Sequence, residues 1–126
     1  MKPDDDLIGF KKFVGHGRRF DPEIIIRKNG QICFNAGAVN KHDLALFKYA
    51  ILYMSESNKR CAVKFTNNNT DPAAITIQSR PGSFGISCRS FLNRYDIDFS
   101  ETYKAQFVWM DRSKIAFFNI KDLVAT

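Results

Sequence analysis

The segment Asn40-Lys41-His42-Asp43-Leu44 recurs 53 residues later as Asn93-Arg94-Tyr95-Asp96-Ile97, and a duplication of this kind restricts the fold more than any single motif. The apolar pair Ala38-Val39 before the first copy recurs as Phe91-Leu92, so charge type and apolar position are both kept. Upstream, Ile24 to Gly30 parallels Ala74 to Gly82, each an apolar run ending in a polar turn that carries glycine. Downstream, Lys48 to Met54 parallels Lys104 to Met110. Two copies of one unit, each too small to bury its own core, are expected to pack together about an approximate twofold axis.

Within a copy the periodicities predict strand, turn, strand, short helix, strand, turn, strand. Strands at 24–27 and 31–34 flank Lys28-Asn29-Gly30, where Asn-Gly supplies the positive φ of a tight hairpin. A helix follows at 36–41, capped by the Asn35 side chain, and strands at 49–54 and 60–65 meet across Ser57-Asn58-Lys59. The second copy places strands near 74–78, 83–87, 105–110 and 114–119, with a helix near 89–95. Asp43, matching Asp96, is expected to end the helix and cap the next turn in both copies, which is a structural role for Asp96, Asp98 and Glu101 rather than a metal-binding one. The organisation is then an N-terminal arm (1–23) with an apolar patch at Phe10, Phe13 and Val14, a first ββαββ unit (24–65), a polar connector (66–73), a second unit (74–120) and a C-terminal tail (121–126). The expected class is β-rich α+β, one compact pseudo-twofold domain; 126 residues are too few for two independent cores.

No apolar stretch reaches the length of a membrane span, and the first residues are acidic where a signal peptide would be basic and then apolar. Cys33, Cys61 and Cys88 are odd in number, widely spaced and set in apolar surroundings, which predicts reduced core thiols in a cytoplasmic protein and no zinc site. His16 and His42 are the only histidines. His42 matches Tyr95, so a packing role is expected for it. No nucleophile stands at a recognisable spacing from a base, and no glycine-rich phosphate loop leads from a strand into a helix. The chain is read as a non-enzyme with no catalytic residues, no metal and no cofactor.

Charge carries the functional argument. The net charge is +6, and residues 11–64 hold 11 Lys/Arg against 4 Asp/Glu, while residues 65–126 hold 7 against 6. A polyanion responds to local potential. Nucleic-acid contacts are therefore expected in the arm and first copy, at Arg18, Arg19, Arg27, Lys28, Lys41, Lys48, Lys59 and Arg60, with Asp98 and Glu101 on the other side. Phe84 and Tyr53 are strand aromatics that could also stack unpaired bases.

The run Gly30-Gln31-Ile32-Cys33-Phe34-Asn35, the short helix closing at Leu44, and the hairpin ending at Phe65 together resemble the swapped-hairpin DNA-binding domain of AbrB, SpoVT and MraZ proteins. The second copy resembles it from Ser83 to Ile97. The resemblance implies a swapped-hairpin barrel of two tandem units, a DNA partner and a role in transcription regulation. The chain departs from that pattern at Gln31 and Phe84, which stand where the family has a basic residue, at Asn35 and Cys88 in place of proline, and at Val39 and Leu92 in place of the helix arginine. Two alternatives stand beside DNA binding: a protein-interaction or inhibitor module, or homodimer, without nucleic acid, and a single-strand binder with Whirly-like sheets.

Overall fold

The computed structural model describes residues 21–57 and 59–126. Arg18, Arg19, His16 and the apolar patch expected in the arm lie outside the described residues. The described residues form a β-rich α+β arrangement with two antiparallel sheets and two short helices. In order, the elements are β1 (Glu23–Ile26), β2 (Gln31–Phe34), α1 (Ala36–Lys41), β3 (Tyr49–Ser55), β4 (Arg60–Thr66), β5 (Ile75–Thr76), β6 (Gln78–Arg80), β7 (Ser83–Ser87), α2 (Arg89–Arg94), β8 (Tyr103–Gln106), β9 (Val108–Met110), β10 (Ile115–Asn119) and β11 (Val124–Ala125), with 3-10 turns at Leu44–Leu46 and Ile120–Asp122. Among the described residues no helix is long and apolar enough to cross a membrane.

Local chemistry explains most of these boundaries. Gly30 takes φ 85, while the amide of Gly30 donates to Arg27 O and that of Arg27 to Gln31 O, each at 2.9 Å. This makes a three-residue loop with glycine alone in the left-handed position. The Asn35 side chain caps α1, its Oδ1 accepting from the Ala38 amide at 2.9 Å. Asp43 and Asp96 follow directly on the C-caps His42 and Tyr95 and so end both helices as expected, but through the backbone rather than through a side-chain cap of the next turn. Both adopt φ 53, and Asp43 makes no side-chain capping bond. What recurs is a left-handed backbone, which aspartate tolerates better than most side chains.

Four of the strand pairings, β1–β8, β2–β7, β3–β5 and β4–β10, join opposite halves of the chain. The six-stranded sheet runs β11-β8-β1-β2-β7-β6 and the five-stranded sheet β5-β3-β4-β10-β9. Ile24 faces Ala105, Cys33 faces Gly85, Ala50 faces Ile75 and Val63 faces Ala116. The continuous strands expected at 74–78 and 105–110 are each interrupted, at Ile77 and Phe107. The reason is a corner: each segment leaves one sheet and enters the other, and the Ile77 amide still donates to Lys48 O at 2.8 Å. Through these two corners the pairings run round in a ring. The expected C-terminal tail contributes β11 to the edge of β8.

The ladders also set how the second hairpins correspond. Met54 faces Cys61 and Trp109 faces Ala116, with Lys59 (φ 51) and Lys114 (φ 59) at the turns. Met54 therefore matches Trp109, one residue away from the match made on Lys48 and Lys104. Those lysines stand outside the inward-facing alternation that fixes register. Inside the ring, Ile24, Ile26, Ile32, Leu44, Ile86 and Leu92 are fully buried, and Phe65 stacks edge-on against Phe34 at 5.2 Å. Cys33, Cys61 and Cys88 are free and buried, and burial pushes the Cys61 and Cys88 thiols up to about 12.

Candidate nucleic-acid interface

The expected cationic residues divide between the two sheets. Arg27 and Lys28 stand at the β1–β2 turn of the six-stranded sheet, and Lys59 and Arg60 at the β3–β4 turn of the five-stranded one. Lys41 ends α1, Lys48 precedes β3, and the Arg60 guanidinium lies 4.6 Å over the Phe117 ring. An arginine held over an aromatic in this way has part of its charge already engaged. Of these residues, Arg27 donates to Cys33 Sγ and Lys28 lines a depression with Asp96 and Asp98.

On the outward side of the six-stranded sheet, opposite buried Ile24 and Ile26, the ladders align Lys104, Ile25, Cys33, Gly85 and Gln78 in one row. Arg27 lies beyond that row on one side, and Arg80, facing Ser83, beyond it on the other. The centre of the row is buried, with Cys33 1% exposed, and Gly85 must be glycine: a Cβ there would meet Ile32 O at 2.4 Å and Cys33 Cα at 2.8 Å. A polar network links the turn to this surface. Arg27 Nε donates to Cys33 Sγ at 3.3 Å, Asn29 Nδ2 to Gln31 Oε1 at 3.0 Å, Gln31 Nε2 to Gln78 Oε1 at 2.9 Å, and Arg89 Nη2 to Asn29 O at 3.3 Å.

Sequence reasoning missed Arg80, Arg89 and Lys104. Counting charge by halves assigned them to the nearly neutral second copy, whereas cross-half pairing sets them around Arg27. The signal that could have found them is the repeat itself, since Arg80 precedes Gly82 much as Arg27 and Lys28 precede Gly30. The same interleaving corrects the expectation for the acids. Asp96 and Asp98 line a depression of about 520 Å³ together with Lys28 and Asn93, so they sit beside a first-half cation rather than across the molecule. The Tyr103 hydroxyl and the Ser100 amide, both donating to Asp98, hold its carboxyl below the usual carboxylate range.

A second depression, of about 310 Å³, lies between α1 and the β6–β7 turn. Arg27, Arg80, Asn40 and Ser83 form part of its polar lining, Val39 and Phe84 part of its apolar one, and no carboxylate lines it. Asn40 and Asn93 are repeat mates, so the two depressions occupy comparable places and carry opposite charge.

The aromatic expectations divide. Phe84 is buried in the core, while Tyr53 is half exposed on the outer face of the five-stranded sheet, where the ladders align it with Ala62, Phe117 and Val108. His42 stacks on Trp109 with ring centroids 4.7 Å apart, and burial, then the Lys41 charge, lowers its pKa from the ordinary value. Tyr95 packs edge-on against Phe91 at 5.0 Å. Both members of the pair therefore pack at the end of a helix. Among the described residues no cluster of His, Cys, Asp and Glu could hold a metal ion. Compared with known proteins, the chain matches no family model, no curated protein and no solved structure.

Proposed function

We propose that this is a small basic DNA-binding protein of regulatory type, its two interleaved units acting as a swapped-hairpin-like scaffold that presents phosphate contacts on the outer face of the six-stranded sheet. One observation carries the reading: Arg27 and Arg80, from the two halves of the chain, line one depression together with Asn40 and Ser83, and no carboxylate lines it. Guanidinium forks suit phosphate oxygens, and a cationic lining that no carboxylate offsets favours an anion there. Lys41, Lys48, Lys59 and Arg60 then act at longer range through the net potential.

The test is a salt titration of binding to a labelled duplex. Each phosphate contact adds about −0.9 to the log–log salt slope, so Arg27→Gln with Arg80→Gln should flatten it by roughly 2 units. Arg112→Gln with Lys114→Gln should leave it nearly unchanged, because Lys114 is already paired with Asp111 at 3.0 Å. Equal losses from the two double variants would remove this surface from the argument, and absence of duplex binding at low salt would remove DNA as the partner.

A protein-interaction module is the second reading, favoured by the outer face of the five-stranded sheet. Tyr53, Val108 and Met110 are each about half exposed there, and exposed apolar area of this kind on a sheet face is characteristic of contact surfaces.

A further inference from the structure

We propose that the depression between α1 and the β6–β7 turn takes a single unpaired nucleotide, its phosphate on Arg27 and Arg80 and its base against the apolar wall. The inference rests on the nucleic-acid reading for the phosphate contacts and goes further in naming an unpaired base as what is recognised. The two arginines give the site a charge that no lining carboxylate offsets. Phe34 and Phe84, 4% and 6% exposed, form part of its apolar wall and are fixed by the core, since both rings pack on Phe65. A wall held rigid in this way offers apolar contact to a flat ring without first having to be ordered.

The polar groups also fit. The Asn35 side chain accepts from the Glu23 and Ala38 amides and donates to Asp21 O, which ties the start of α1 to β1. Asn40 and Ser83 make no side-chain hydrogen bond to a described residue and line the opening. An amide and a hydroxyl at that position can meet both donors and acceptors on a base edge. The volume of about 310 Å³ is at the small end for ligand sites and has room for one base with its phosphate, not for a base pair. Gly82 also lines the depression, and nothing lies within 4 Å of a Cβ built on it, so the turn is open there.

The experiment titrates the full chain with adenosine monophosphate, adenosine and inorganic phosphate, and then with a short single strand and its duplex. Adenosine monophosphate should bind, should shift the backbone amides of Val39, Asn40 and Ser83, and should bind roughly tenfold or more tighter than adenosine or phosphate alone, because each half of the ligand meets its own part of the site. Asn40→Trp, which fills the opening, should weaken it by a similar factor, whereas Asn93→Trp at the repeat-related place should not. Arg80→Gln, at an exposed position, gives a second check that does not depend on helix integrity. The single strand should compete better than the duplex. Phosphate binding as well as the nucleotide would overturn the inference in favour of a plain anion site. Duplex binding with no response to the mononucleotide would overturn it and leave the DNA reading standing. Mononucleotide binding with no affinity for either oligonucleotide would uphold the pocket and overturn the DNA reading.

Discussion

At Gly30 a Cβ would lie 2.9 Å from the Cβ of Arg89, whereas at Gly82 it would meet nothing within 4 Å, although both glycines take positive φ at the tip of a corresponding hairpin. The first turn is closed over by the start of α2. Arg89 donates to Asn29 O, and the Cys88 amide donates to Gly30 O at 2.9 Å. The second turn stands open beside α1 with Arg80 exposed. Charge follows the same division, since Asp96 and Asp98 lie beside Lys28 and no carboxylate lines the depression at Arg80. The two corresponding turns thus share a positive-φ glycine while their surroundings part: one braces the two halves against each other, and its mate stands open beside a depression that no carboxylate lines.

The sharpest way to break this comparison is to add a methyl group at each glycine. Gly30→Ala should cost about 2–5 kcal/mol, combining left-handed strain of about 1–2 with the overpacking against Arg89. Gly82→Ala should cost only the strain, about 1–2 kcal/mol. Urea denaturation measures both, and equal midpoints would mean that the first turn is not braced. Next in size, Arg89→Ala should lower stability by about 1 kcal/mol through its lost contact with Asn29, while Arg80→Ala should stay within about 0.5. Asp96→Asn should then raise duplex affinity a few-fold at low salt by removing a negative charge beside Lys28, an effect that vanishes as salt is added.

The smallest effect concerns the helix ends. His42 has a lowered pKa in the folded chain, from burial first and Lys41 second, so the unfolded chain takes up its proton first as pH falls. The stability it contributes is present above its ordinary value near 6.5 and is lost as pH drops through the lowered one. Trp109 is the single tryptophan, so its fluorescence reports the stacked imidazole directly. The transition should have a midpoint below 6.5 and vanish in His42→Phe; a midpoint above 6.5 would show that the stack does not set the proton affinity.

Local features were the legible part of the fold. The Asn29-Gly30 turn, the Asn35 cap and the alternation in Ile24–Ile26 are set by neighbours in sequence, and the elements came out within a residue or two. Pairing across halves was not legible, because nothing local to Ile24 specifies Ala105 as its partner. The corners at Ile77 and Phe107 were hidden for the same reason: a strand that changes sheets keeps its apolar character through the bend. The site suffered most from this. Arg27 and Lys28 were identified from the turn they occupy, but Arg80 and Arg89 join Arg27 only through the β2–β7 ladder, and Asp96 nears Lys28 only because α2 packs beside the first turn.

The ring of pairings bears on how the chain reaches its native state. Ile24 in β1 must find Ala105 in β8, and Cys33 must find Gly85, so each half of the structure waits on residues made much later. Topologies dominated by such distant pairings fold slowly, because the entropy of closing large loops is lost before any contact compensates for it. A nascent chain that has emerged only as far as the connector at 66–73 carries β1 to β4 with the partners of β1 and β2 in the other half still missing. During synthesis it is a set of unpaired strand edges, and its exposure to aggregation ends only when the second half arrives.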